Sequence, residues 1–123
     1  VVKTMAGEMA GNAGAARAAD EGAQGSETDT TSTIFVSIAS YRDQEAPYTI
    51  ADLFAKAIAP SRVLIGVCFQ CDPIDDSDCL DLSLLDAACA GNVRSIEMHW
   101  RNAKGPAWAR HLIHAHLYRN EDF

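Results

Sequence analysis

Apolar positions in this chain fall in short dense runs separated by polar stretches, and the first run begins only at Ile34. Ile34-Phe35-Val36-Ser37-Ile38-Ala39 is β-branched and apolar, which predicts a buried strand. Ser40-Tyr41-Arg42-Asp43 follows, then a polar loop containing Pro47. Ile50, Leu53, Phe54, Ala57 and Ile58 recur at helical spacing, with Thr49 in N-cap position and Pro60 as a stop. Val63 to Phe69 predicts a second buried strand. Strand, helix and strand occupy about 36 residues, the length a parallel βαβ unit needs.

An acidic loop, Asp72 to Asp81, comes next. Leu80, Leu82, Leu84, Leu85 and Ala87 to Ala90 form a short apolar segment, with Gly91 placed as a helix C-cap. Val93 to Trp100 predicts a third strand, with Ile96, Met98 and Trp100 on one side and His99 on the other. Pro106 sits where helices start, and Trp108, Ala109, Leu112, Ile113, Ala115 and Leu117 give the next helix an apolar face to about Arg119. A fourth strand is expected after it. Alternation of strands and helices predicts an α/β fold with a mainly parallel sheet.

Residues 1 to 33 hold no aromatic side chain, and Val1, Val2, Met5 and Met9 are their only large apolar residues. So little apolar surface does not offset the entropy of ordering, and the segment reads as a disordered leader. A chain that opens on Val1 reads as a fragment or a processed product. No apolar run reaches the roughly 18 residues of a membrane span. The net charge of −7 argues against a nucleic-acid partner, which would require a basic face.

Cys68-Phe69-Gln70-Cys71 has the CxxC spacing of redox and zinc sites. A redox pair usually opens a helix, whose N-terminus lowers the thiolate pKa. Here the first cysteine ends a strand-like run, so free thiols are the simpler reading and an oxidoreductase is the minor alternative. His111-x-x-His114 and His114-x-His116 resemble ligand spacing but include no carboxylate, and read as ordinary helix histidines.

In an open α/β sheet, ligands bind beyond the carboxyl ends of the strands. That rule brings Ser40 to Asp43, Gln70 to Asp72 and the turn Ala103 to Pro106 to one rim. Arg42, Lys104, Arg110 and the N–H groups of a helix N-terminus would suit a small phosphorylated ligand. No Walker loop and no G-x-G-x-x-G are present, which weakens P-loop and dinucleotide readings.

The run Ile34 to Asp43 resembles the opening [IV]-F-V-S-I-A-S-Y-R-D motif of a family of eukaryotic and bacterial N-acetylglucosaminyltransferases. That family includes a cytoplasmic enzyme acting on hydroxyproline of an SCF ubiquitin-ligase adaptor. Thr49 with Asp52-Leu53-Phe54 and Ala57 is similar to its T-x-x-D-L-F-x-x-A helix. Val63, Gly66-Val67 and Gln70 are similar to its V-x-x-G-V-x-x-Q strand, followed by a D-x-D-C-type stretch at Asp76-Ser77-Asp78-Cys79. Ala103-Lys104-Gly105-Pro106 with Ala109-Arg110 resembles A-x-G-P-x-x-A-R, ahead of an L-Y/W-x-x-E segment at Leu117-Tyr118.

The resemblance implies a GT-A, Rossmann-like fold, of which residues 34–123 would be the N-terminal nucleotide-binding part. It implies transfer of N-acetylglucosamine from UDP-GlcNAc to a protein hydroxyl with retention of configuration. Ser40, Tyr41, Arg42 and Gln70 would then hold the nucleotide, with Tyr41 on the uracil or ribose and Arg42 facing the diphosphate. Lys104, Gly105 and Arg110 would form a second nucleotide-contacting segment. Mn²⁺ or Mg²⁺ is expected at the phosphates, with its D-x-D-like or D-S-H motif following Phe123. Asp76-Ser77-Asp78 falls one strand too early and reads as an exposed, solvated loop. No catalytic or metal residue is therefore assigned within the chain, which is expected to be inactive by itself. A cytoplasmic location is implied, or a Golgi one if an N-terminal anchor precedes the chain. The alternative from another class is a non-catalytic nucleotide-sugar-binding module.

Overall fold

The computed structural model describes residues 32–122, so the predicted leader falls almost wholly outside the described residues. Three strands, β1 (Ile34–Tyr41), β2 (Val63–Gln70) and β3 (Val93–Met98), form a parallel sheet in the order β1-β2-β3. Helix α1 (Ala46–Lys56) joins the first two strands. A 3₁₀ turn at Ser77–Leu80 and the short α2 (Ala87–Gly91) precede β3, and α3 (Pro106–Leu117) follows it.

Strand β2 lies between the other two and is buried on both faces. Val63, Ile65, Val67 and Phe69 point into a core shared with Ile50 and Phe54 of α1. Leu64 and Cys68 point the other way, into a core shared with Phe35, Ile113 and Leu117. Each fully buried Ile or Phe contributes about 1.5–3 kcal/mol. Gly66 is the point of closest approach: a Cβ there would lie 2.4 Å from Phe35 Cζ and 2.8 Å from Ile113 Cγ2.

After α3 the chain returns to the far edge of β1, where Asp122 bridges Ile34 in parallel. The Phe35 N–H donates to the Asp122 carbonyl (2.7 Å) and the Asp122 N–H to the Thr33 carbonyl (3.1 Å). The chain thus steps from β1 to β3 in one direction and then reverses across the sheet. Right-handed crossovers running in opposite directions must lie on opposite faces. This is how α1 and α3 are disposed.

The return is fixed by a buried ion pair between Arg94 on β3 and Glu121, whose side chains are 10% and 8% exposed. Arg94 also donates to the Leu117 carbonyl (2.7 Å), the Tyr118 hydroxyl donates to the Glu121 carbonyl (2.7 Å), and Glu121 accepts from the Arg119 N–H (2.7 Å). Leu117, Tyr118 and Glu121, the L-Y-x-x-E segment, therefore build the corner that ends α3. Burial opposes ionisation of Glu121, but the Arg94 guanidinium and the Arg119 N–H together outweigh it and hold the carboxyl below its usual range.

Four local expectations differ from the structure. α1 starts at Ala46, not after Thr49; Pro47, with no N–H to satisfy, fits its first turn and is buried with Ala46. The helix ends at Lys56, which leaves Ile58 fully exposed rather than on the apolar face. The Leu80–Ala90 segment is mostly turn, because the Asp86 side chain caps a helix that begins only at Ala87 and includes Gly91. β3 stops at Met98, and Trp100 lies in a 3₁₀ turn, Trp100–Asn102.

Gly66→Ala should lower unfolding stability by about 1–3 kcal/mol through overpacking, seen as a reduced denaturant midpoint. An unchanged midpoint would show that Phe35 and Ile113 yield freely. Arg94→Ala should cost about 3–5 kcal/mol by leaving Glu121 buried and unpaired, whereas Arg94→Met with Glu121→Leu should recover most of the loss. Equal destabilisation by the single and double changes would contradict that account.

Candidate functional site

The parallel register sets Tyr41, Gln70 and Met98 side by side at the carboxyl ends of the three strands. The Arg42 N–H donates to the Gln70 carbonyl (3.0 Å) and the Cys71 N–H to the Met98 carbonyl (3.0 Å), so the ladder continues into the loops. Strand alternation then decides which side chains share a face. Ala39, Tyr41 and Gln70 line a cleft of about 560 Å³ whose other walls are Trp100, Arg101, Ala103, Gly105 and Pro106. The cleft lies between the strand ends and the N-terminus of α3, where an open α/β sheet receives its ligands.

Gln70 is 3% exposed at this cleft. Its Nε2 donates to the Ser40 carbonyl at 3.1 Å. A carbonyl oxygen only accepts, so that bond fixes the amide orientation. Oε1 is buried with no hydrogen-bond partner among the described residues, and an unsatisfied buried acceptor costs about 1–3 kcal/mol. Ser40 itself is 2% exposed and does not line the cleft; its carbonyl orients Gln70. Tyr41 is half exposed at the mouth.

Gly105 precedes α3 with φ +95°, a conformation that only glycine adopts readily, although a Cβ there would touch nothing. Pro106 brings no N–H, and the N–H groups of Ala107 and Trp108 fall in the first helical turn, where the backbone offers no carbonyl partner. The positive end of the helix dipole therefore faces the cleft.

The expected cations are distributed differently. Arg42, at φ 48°, makes a bidentate pair with Asp76: Nε to Oδ2 at 2.8 Å and Nη2 to Oδ1 at 3.1 Å. Its guanidinium also lies 4.9 Å from the Trp100 ring centroid. Lys104 is exposed with Nζ 5.5 Å from the Trp108 centroid, and Arg110 is exposed on α3; neither lines the cleft. Arg101, which sequence reasoning missed, does line it. Its only signal in the sequence is its place just after the third strand.

Asp76 is not the solvated loop residue expected. It is 8% exposed and accepts from the Asp72 N–H (3.0 Å) as well as from Arg42. Asp72 Oδ1 in turn accepts from the N–H groups of Ile74 and Asp75, and Oδ2 is 3.3 Å from His99 Nε2. His99 Nδ1 accepts from the Arg101 N–H (3.2 Å), which makes Nε2 the protonated nitrogen of the neutral ring and caps the Trp100 turn. His99 therefore lies beyond β3 rather than on its opposite face. A chain of polar contacts thus runs from Arg42 through Asp76, Asp72 and His99 to the turn that carries Trp100 and Arg101.

Among the described residues, no group of three or more His, Cys, Asp or Glu is placed to hold a metal ion. None of their helices is long and apolar enough to cross a membrane. Cys68 and Cys71 are free thiols belonging to the two opposite cores. Burial pushes both up to about 11, the reverse of what thiolate chemistry requires.

The hydrogen bond from Arg42 holds the Asp76 carboxyl below its ordinary range. A depressed folded pKa means the pair stabilises above the unfolded value, about 3.9 for Asp, and is lost as pH falls through the folded one. Asp76→Asn should thus have a lower Tm than the natural protein at neutral pH, and the gap should narrow progressively below about pH 4. A gap that stays constant down to acid would rule out the ion pair as its source.

Comparison with known proteins adds one finding to this geometry. The glycosyltransferase (GlcNAc) family model matches residues 33–91 and 83–123. Searches of curated proteins and of solved structures return no match. The matched residues cover three quarters of the chain's length in roughly the part that carries the sheet, the cleft and both helical layers. The chain belongs to the glycosyltransferase (GlcNAc) family.

Proposed function

We propose that the cleft holds the donor UDP-GlcNAc in a transferase that places N-acetylglucosamine on a protein hydroxyl, and that residues 34–123 are the N-terminal nucleotide-binding part of a GT-A domain. The observation that carries this reading is Gln70, a buried side chain lining the cleft whose Oε1 has no hydrogen-bond partner among the described residues. The imide N3–H of uracil is the donor it lacks. Cytosine presents a bare acceptor nitrogen at the same ring position, which would face Oε1 repulsively. Tyr41 and Trp100 offer aromatic surface to a base or ribose, and the α3 N-terminus and Gly105 offer a path for the diphosphate.

The topology supports the same reading. The bridge from Asp122 to Ile34 makes β1 the strand at which the connection direction reverses. Such switch points are where nucleotide ligands lie in doubly wound sheets.

Transfer from a nucleotide diphosphate develops negative charge on the departing UDP, and a bound Mn²⁺ or Mg²⁺ would neutralise it. The residues in hand do not fit that ion. Asp76 is buried against Arg42, and no other ligand cluster exists among the described residues. Its ligands are proposed to come from outside them, and no step is assigned to it here. What this part of the chain contributes is selection and orientation of the donor. The acceptor is proposed to be a hydroxyproline, Ser or Thr of a protein such as an SCF adaptor, in the cytoplasm, on the strength of the motif resemblance.

UDP should bind about tenfold or more tightly than CDP, because a wrong pairing leaves a buried acceptor unsatisfied. Gln70→Leu should abolish that preference, mainly by weakening UDP. Calorimetric titration of both nucleotides into both proteins measures this. Equal affinity of the natural protein for UDP and CDP would sink the assignment of Gln70.

A further inference from the structure

We infer that Arg101, rather than Arg42, is the side chain that meets the phosphates of the bound donor, and that Arg42 acts on the site only by positioning Trp100. This rests on the nucleotide reading of the cleft and names the cation within it. An acidic protein that takes a dianionic ligand needs local positive charge to offset its own field. Of the basic residues near the strand ends, only Arg101 lines the cleft.

The alternatives are held by partners or stand away from the cleft. The Nε–Nη2 edge of the Arg42 guanidinium is taken by the two Asp76 oxygens. Releasing them would leave the Asp76 carboxylate, 11% exposed, with only the Asp72 N–H. Arg42 also opens a loop in the left-handed region, φ 48°, so its backbone offers little freedom to swing toward the cleft. Lys104 stands over Trp108 and Arg110 faces solvent along α3.

Arg101 differs in each respect. Among the described residues it has no carboxylate within ion-pair distance; its guanidinium lies 5.1 Å from the Trp100 centroid. It is exposed, so ordering it on a phosphate requires no broken bond. Its backbone is held, because its N–H donates to His99 Nδ1 and the next turn closes from Asn102 N–H to the His99 carbonyl at 2.9 Å. A fixed backbone with an unengaged planar fork suits bidentate capture of a phosphate. Gly105 and Pro106, at the positive end of α3, line the same cleft. Arg101 and the helix N-terminus would serve the same anion.

The test titrates uridine and UDP into the natural protein, Arg101→Gln, Arg101→Lys and Arg42→Gln, at low and at high salt. Arg101→Gln should weaken UDP about tenfold or more while leaving uridine within about twofold, and should flatten the salt dependence of UDP binding. Arg101→Lys should restore part of the loss. Arg42→Gln should weaken uridine and UDP by the same factor. A UDP affinity untouched by Arg101→Gln, or a selective loss of UDP in Arg42→Gln, would overturn the inference while leaving the nucleotide reading intact. Failure of the natural protein to bind either ligand would overturn both.

Discussion

Burial of β2 on both faces is the constraint from which the remaining architecture follows. Every residue of the strand but the partly buried Leu64 is buried, so each face must be covered by another element. One face takes Ile50 and Phe54 of α1, the other Ile113 and Leu117 of α3. Helices on both faces of a parallel sheet require the chain to reverse direction across it. The reversal places the α3 N-terminus above the strand ends, and the cleft forms there. Gly66 lets this happen at close range, since Phe35 and Ile113 occupy the space a side chain would fill.

A second layer of organisation is electrostatic and confined to the rim. Arg42, Asp76, Asp72 and His99 come from the loops after three different strands, yet they form one connected set of contacts. Their common product is the position of the Trp100 turn. An ion pair with one partner 41% exposed adds only modestly to global stability, because water screens it. Its value here is geometric, in fixing where an aromatic wall and the neighbouring Arg101 stand. The pair Arg94–Glu121 differs: both partners are buried, and it holds the segment that reaches β1's free edge.

These features make the family membership physically intelligible. The donor site proposed above needs a rigid base pocket, a polar reader held in orientation, and a place for phosphate charge. Gln70 is held by the Ser40 carbonyl, and the helix dipole of α3 points at the same cleft. The CxxC cysteines offer no competing chemistry, since they belong to separate cores and burial raises both thiols. Their role is packing.

The order of strands and helices, the parallel sheet and the rim where ligands collect were legible in the sequence, because apolar spacing directly encodes which faces are buried. Pro106 marked the helix start for the same local reason: its ring suits a first helical turn and nothing else nearby. Strand ends placed the stretches holding Tyr41, Gln70 and Gly105 on one rim, the family resemblance singled out the residues, and the structure brings them to one cleft. What periodicity does not carry is the partner of a charged side chain. Arg42 meets Asp76 across 34 residues, a destination that local spacing does not carry. The start of α1 at Ala46 and the exposure of Ile58 were likewise settled by packing against the core. Local sequence determined the elements and their faces; tertiary structure alone decided which cation reaches the cleft, because that depends on which carboxylates the folded loops bring near it.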